Sequence, residues 1–378
     1  RQLLAWYADH DHLRGFYDEA QPLLKTRGGA GNFVVHDRGA ARPGEVAVTA
    51  GKRLNPAGQP CATRRLRPPR SSPTFPVRNP NRNKAMKKVQ TVLSNPRQHW
   101  VGDGFPVRTL FNYSEHARAL DPFLLLDFAG PASFPPTDQQ RGVGEHPHRG
   151  FETVTIVYEG AVAHRDSTGK GGTIGPGDVQ WMTAGGGILH EEFHAPEFGR
   201  SGGPFRMIQL WVNLPAKDKM VVPGYQPITS SDIPSVALPG GTGTARVIAG
   251  TFAGERGPAH TFSPVNMWDL RLKAGNSTIL DLPSGHTAAL VVVAGKVSVN
   301  GSPAEEGQAV LLERQGSEAR VVADTEAKVL VLTGEPIGEN VVGYGPFVMT
   351  SEREIRQAMI DFNAGRFGRM PEREATGA

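Results

Sequence analysis

The chain has 378 residues, enough for two ordinary domains with full cores, and its longest apolar run, Ala288 to Ala294, is far too short for a membrane-spanning helix. Charged residues are 21% and hydrophobic ones 38%, a globular balance that excludes a fully disordered chain. The net charge of +4 is confined to one end: residues 1–85 hold 15 Lys+Arg against 6 Asp+Glu, leaving 26 against 31, or −5, for residues 86–378, where direct nucleic-acid binding is not expected.

Residues 1–30 contain no continuous apolar stretch of the signal-peptide kind. Residues 1–24 are compatible with a short amphipathic helix, and residues 62–84, rich in Arg, Pro, Ser and Asn, read as a disordered linker. His10 and His12 lie in a segment without strand pattern and are taken as coincidence. The whole of 1–85 is expected to be a basic, disordered extension. Met86 reads as the true initiator behind a start site placed too far upstream, with a transit peptide or a genuine basic tail as the alternatives. The single Cys61 excludes an intrachain disulfide and a thiolate metal cluster, and favours the cytoplasm.

From Met86 the pattern is β: short runs such as ETVTIVY, DVQWMTA, MIQLWVNL, ALVVVAGKVSVNG and KVLVLTG between Gly, Pro, Asn and Asp turns, which point to antiparallel sandwich or barrel units. Within EHPHRGFETVT, His146 and His148 stand two apart with Pro147 between them; on an extended segment both imidazoles face the same side. Downstream, VQWMTAGGGILHEEFH repeats the device: His190 and Glu192 share a face and Glu191 points away, after a turn at Gly185, Gly186 and Gly187. Two such pairs on neighbouring strands bring three imidazoles and a carboxylate to one point. A strand–Gly–strand unit at Gly160 recurs at Gly295, and the turn at Gly177-Asp178 recurs at Gly307-Gln308, which predicts two similar barrels. A helix over 351–365 is expected, with Ser351 and Glu354 as a capping box, Gly365 as its stop, and Ile355, Met359 and Phe362 on one face.

These strings resemble the pirin family of cupins, closely over 146–192 and loosely over 220–340, from about Met86 through GYGPFVMTSEREIRQAMIDFNAGRFG at 343–368. The resemblance implies an all-β bicupin: two tandem antiparallel β-barrel (cupin, jelly-roll) domains, at 86–214 with the metal and at 215–340 without one, then a C-terminal segment over 341–378 with a short helix. It implies one metal, usually iron, with His146, His148, His190 and Glu192 as ligands. Some members cleave flavonols such as quercetin.

Aligning the repeat places Asp281, Pro283 and Arg320 where the first barrel has His146, His148 and His190, and His286 nearby lacks a partner, so the second barrel is expected to bind no metal. Glu152 reads as an acceptor for a ligand ring N–H on the His148 face. Arg149, Gln180 and Trp181 read as structural contacts around the site, His164 and His194 as surface residues, and Phe151, Met182 and Trp211 as core residues able to line a pocket. Three neutral imidazoles and one carboxylate suit Fe(II), with Mn, Ni or Co as other octahedral choices and Zn the tetrahedral rival. The expected activity is a dioxygenase, a quercetinase-type oxidoreductase acting on a small aromatic or flavonoid substrate with O2, in which Glu192 takes the substrate proton. The protein is expected to be a monomer without membrane attachment. The competing reading is a non-enzymatic iron-dependent redox sensor, partner of a transcription factor or metabolic enzyme.

Overall fold

A computed structural model describes residues 84–372. The readings made on 1–83, including the helix over 1–24, nearly all of the linker and the His10/His12 pair, lie outside the described residues. Lys84 and Ala85 already pack on the fold: Lys84 pairs with Asp281 at 2.5 Å, and the Ala85 carbonyl accepts from the Ser317 and Glu318 amides.

The strands of the first half are β1 (Val89–Ser94), β2 (His99–Val101), β3 (Phe105–Asn112), β4 (Phe123–Phe134), β5 (Gly142–His148), β6 (Phe151–Glu159), β7 (Val162–Asp166), β8 (Gly171–Ile174), β9 (Val179–Thr183), β10 (Ile188–His194), β11 (Gly203–Asn213) and β12 (Gly224–Ile228). Helices α1 (Tyr113–Leu120), α2 (Pro196–Ser201) and α3 (Glu352–Asn363) interrupt or follow them. A seven-stranded sheet in the order β12-β9-β6-β11-β4-β3-β2 lies opposite a four-stranded sheet, β5-β10-β7-β8. The second half repeats this plan with seven strands, from β1 through Gln308–Leu312, Thr287–Ala294, Ala327–Gly334, Val265–Leu272 and Gly243–Ala249 to Ser235–Ala237. Its four-stranded sheet is Ser277–Asp281, Glu318–Ala323, Lys296–Val299 and Ser302–Glu305. The fold is an all-β, antiparallel bicupin, and the turn glycines Gly160 and Gly295 both have a φ of 83°. Strands cross between the halves: β1 pairs with Gln308–Leu312 at the edge of the second sheet, and β12 with β9 at the edge of the first.

The two seven-stranded sheets bury a shared core, in which Val154, Ile156, Ile208 and Leu210 pack in one cluster with Val291, Leu311 and Leu330. Alternation explains the non-alternating run at 287–294: Ala289, Val291 and Val293 enter this shared layer, while Ala288, Leu290 and Val292 fill the second barrel. Fully burying one such aliphatic side chain is worth about 1.5–3 kcal/mol. The same alternation on β6 sends Val154, Ile156 and Tyr158 to the shared layer and Thr153 and Thr155 inward. The first barrel is thus lined with polar groups where the second holds Leu270, Leu290 and Val310.

Helix α3 starts after Ser351, whose hydroxyl accepts from the Glu354 amide, and it ends at Asn363, two residues short of the expected stop. The Glu354 carboxylate reaches back to the Thr350 amide at 3.0 Å and to the Thr350 hydroxyl, one residue beyond the cap itself. Ile355 and Ala358 are buried, with Met359 and Phe362 packed against them. Helix α1 carries no comparable sequence signal; eight residues long with only Leu120 buried, it is capped by Asn112. No helix among the described residues is long and apolar enough to cross a membrane.

Candidate metal centre

Antiparallel pairing of β5 with β10 sets His190 opposite His146 and Ile188 opposite His148. The three buried imidazoles converge, with ring centroids 4.0 Å apart for His146 and His190, 4.7 Å for His148 and His190, and 4.9 Å for His146 and His148. One nitrogen from each lies within 4.8 Å of those of the others. The strand entering the corner after His148 turns at Gly150, whose φ of +88° and 2.0 Å approach of a Cβ to the Val348 carbonyl exclude any other residue.

Each ring is anchored through one nitrogen. His146 Nδ1 bonds to the Gly144 carbonyl at 2.8 Å, so Nε2 is the atom it can offer. His148 bonds to the Pro346 carbonyl and its buried Nδ1 has no partner; His190 Nδ1 lies 3.3 Å from His164 Nδ1 and its buried Nε2 has no partner. Burial, then the neighbouring imidazoles, hold His148 and His190 well below the ordinary histidine pKa, so both are neutral bases. Buried nitrogens with lone pairs, no donors and neutral rings are what a divalent transition metal requires, and the donor set fits one such ion.

Glu192 lies beside this cluster. It falls in a 4.8 Å group with His190 and His164 and lines the same cavity as His146 and His148. Its carboxylate accepts from Thr155 Oγ1 at 3.3 Å and Gln209 Nε2 at 3.2 Å, and burial pushes its pKa up against these bonds. Glu191, on the opposite face, accepts from Arg165 at 2.8 Å.

Three sequence expectations need correction. His164 is buried, because Val162, His164 and Asp166 share the inner face of β7; its Nε2 lies 3.6 Å from Asp166 Oδ2 and its ring is parallel to Tyr225 within 3°. His194 is buried too: it continues the His190–Glu192 face, donates from Nε2 to the Gly104 carbonyl at 2.9 Å and packs among Phe105, Phe134, Phe198 and Phe205. Glu152 does not serve a ligand ring. The corner at Arg149-Gly150 resets the alternation, so Glu152 lies on the Val154 face, where it accepts from Thr183 at 2.7 Å; burial raises its pKa to about 7 against the pull of Thr183 and Trp181. Met182 is a core residue, as expected, in an apolar cluster with Ala184 and Ile188.

The remaining residues make structural contacts. Arg149 donates to the Gly186 carbonyl and to Asp361 of α3, at 2.7 and 2.8 Å, and lies over the Phe367 ring. Trp181 belongs to the shared core, and Gln180 is fully buried without a hydrogen-bond partner for its amide. Trp211 stacks on Phe151 with centroids 4.2 Å apart.

A cavity of about 550 Å³ opens onto the cluster. His146, His148 and Glu192 line it, with Leu125 and Trp211 as apolar wall and Gly345-Pro346 from the C-terminal hairpin (Val342–Tyr344, Phe347–Met349). Sequence reasoning missed Thr155, Gln209, Asp127 and His164 as residues of this region.

The family model described as Pirin matches residues 104–212, and that of the Pirin C-terminal cupin domain matches 267–368. A Pseudomonas aeruginosa protein described as "Putative quercetin 2,3-dioxygenase" is 56% identical over 282 residues, covering 75% of this chain and 99% of that protein. Human pirin is 37% identical over 292 residues, covering 75% of this chain and 94% of that protein. The crystal structure of a quercetin 2,3-dioxygenase from Acinetobacter baumannii superposes with a TM-score of 0.73 at 54% identity, covering 75% of this chain and 99% of that one. With two family models in tandem and relatives matched over nearly their full length, the chain belongs to the pirin family.

Proposed function

We propose that the protein is a metal-dependent dioxygenase that opens the heterocyclic ring of a flavonol of the quercetin type with O2 and releases carbon monoxide. The observation that carries this reading is the 550 Å³ cavity lined by His146 and His148 of the imidazole cluster and by Glu192: a substrate needs such a space, and a purely redox-sensing metal does not. Two relatives more than 50% identical to this chain carry quercetin 2,3-dioxygenase in their descriptions, which supports the same substrate class.

In this reading His146, His148 and His190 hold one metal, Fe(II) by preference with Mn, Ni, Co or Zn as substitutes, and Glu192 is the fourth ligand or the base beside it. When bound, the metal supplies Lewis acidity toward a substrate oxygen and open coordination positions. Glu192, its pKa raised by burial, takes the proton of the flavonol 3-hydroxyl while Thr155 and Gln209 fix its carboxylate. Leu125 and Trp211 present an apolar wall to the planar rings and exclude water. The half over 86–214 carries this chemistry, and the half over 215–340 buries the other side of its large sheet.

The test is anaerobic loading with Fe(II), Ni(II) or Mn(II), then O2 uptake and CO release on adding quercetin. Matched uptake and CO are expected. Fully loaded protein that consumes no O2 with any flavonol would exclude the enzyme and leave the regulatory reading.

A further inference from the structure

A row of polar side chains crosses the inner face of the large sheet. Strand register makes Thr109 the partner of Asp127, Asp127 the partner of Gln209, and Gln209 the partner of Thr155. Asp127, Gln209 and Thr155 each stand between apolar neighbours, as in Leu126-Asp127-Phe128 and Ile208-Gln209-Leu210, whose side chains are fully buried on the opposite face. The row has two ends with different partners. At one end Gln209 and Thr155 bond to Glu192 beside the imidazoles. One strand away, the Thr109 hydroxyl donates to Asp127 Oδ1 at 2.5 Å. Asp127, Thr109 and His99 line the same cavity as His146, His148 and Glu192.

We propose that Asp127, supported by Thr109 and His99, is a hydroxyl-recognition subsite that accepts a phenolic O–H from the part of the substrate remote from the metal, and so selects polyhydroxylated aromatics. The inference rests on the flavonol reading of the cavity. A carboxylate only accepts hydrogen bonds, so the ligand group it recognises must donate, and it repels aromatic acids by like charge. Burial pushes the Asp127 pKa up while Thr109 and His99 pull it back, so a further donor to the carboxylate is favourable. Pairwise strand spacing places the subsite about 5 Å beyond Gln209, within reach of a planar three-ring ligand whose other end faces the imidazoles.

The experiment compares quercetin with 3-hydroxyflavone, which lacks every hydroxyl except the one at position 3. Equilibrium binding to metal-free protein and steady-state O2 uptake by loaded protein are measured for wild type, Asp127→Asn and Asp127→Ala. Wild type is expected to bind quercetin more tightly than 3-hydroxyflavone. Both variants should lose that preference by about 10- to 100-fold through Kd and KM, with kcat and 3-hydroxyflavone binding little changed. Melting temperature and metal content identify a variant that has not folded, and the two substitutions are independent in that respect. Preference retained in both folded variants overturns the subsite, as does wild type that binds neither flavonol. Wild type that binds with the expected preference but shows no turnover overturns the enzyme and leaves the subsite standing.

Discussion

His190 Nδ1 lies 3.3 Å from His164 Nδ1, so the two rings share one proton and only one can donate. Asp166 Oδ2 lies 3.6 Å from His164 Nε2; burial opposes ionisation of Asp166, but its contacts with His164 and Thr168 outweigh it and hold its pKa below the ordinary value. That carboxylate favours the proton of His164 on Nε2, which leaves Nδ1 to accept from His190 and turns the His190 Nε2 lone pair toward His146 and His148. His164 is therefore a positioning residue for the metal centre. His164→Phe keeps a flat ring against Tyr225 and removes the acceptor. Its metal affinity, measured by competition with a chelator, should fall about 10- to 100-fold, with the melting temperature of metal-free protein little changed. Unchanged affinity would refute the positioning role.

Glu191 and Glu192 should behave oppositely. Glu191 accepts from Arg165, whereas Glu192 faces the cavity between Thr155 and Gln209. Glu192→Gln should retain most of the metal, because three imidazoles remain, and lose about 10²- to 10⁴-fold in turnover. Glu191→Gln should leave both within a factor of about two. Equal losses in the two variants would remove the assignment of a base.

Glu152 predicts a pH dependence of stability. Its folded pKa of about 7 exceeds the ordinary 4.5, so the folded state holds a proton that the unfolded chain has released. Stability from this group is present below 4.5 and is lost as the pH rises through 7, a change of about 3 kcal/mol. Glu152→Gln keeps the acceptor for Thr183 without the charge. Denaturant midpoints should match wild type at about pH 5 and exceed it at about pH 8. A variant less stable than wild type at the higher pH would contradict this.

Lys219 is 2% exposed, and its ammonium donates to the Gly150 and Val348 carbonyls and Asn213 Oδ1, at 2.8, 2.9 and 2.8 Å. Burial lowers its pKa to about 7. Lys219→Met leaves three acceptors unsatisfied at the corner that follows His148, a loss of about 3 kcal/mol or more. Thermal unfolding should show a clear fall in Tm with reduced metal content; an unchanged Tm would show that water replaces the ammonium at no cost.

The paired motifs at 146–148 and 190–192 were legible because period-2 alternation holds within one strand and each motif lies within one, β5 or β10, although the pairing of the two shifts register between His190 and Glu192. The same rule misplaced Glu152, since a corner at Gly150 separates it from His148 and alternation does not carry across a turn. His164 and His194 were legible in principle. Each shares parity with buried neighbours, Val162 in one strand and His190 in the other, and only a base rate for isolated histidines argued for the surface. Asp127 and Gln209 interrupt apolar strands, which marks them as unusual, but their relation to Glu192 depends on which strands adjoin, and no local pattern encodes that. The exchange of β1 and β12 between the sheets is invisible for the same reason.

The central claim is that one transition metal binds at His146, His148 and His190 and none binds in the second barrel, where Asp281 and Arg320 stand in place of histidines and the interior is filled by Leu270, Leu290 and Val310. Anomalous scattering from crystals of the metal-loaded protein, recorded at the absorption edge of the added ion, tests it directly. The account predicts a single peak per chain, within coordination distance of the three imidazoles and beside Glu192. A peak in the second barrel, or full metal content with no peak at the imidazoles, would contradict it.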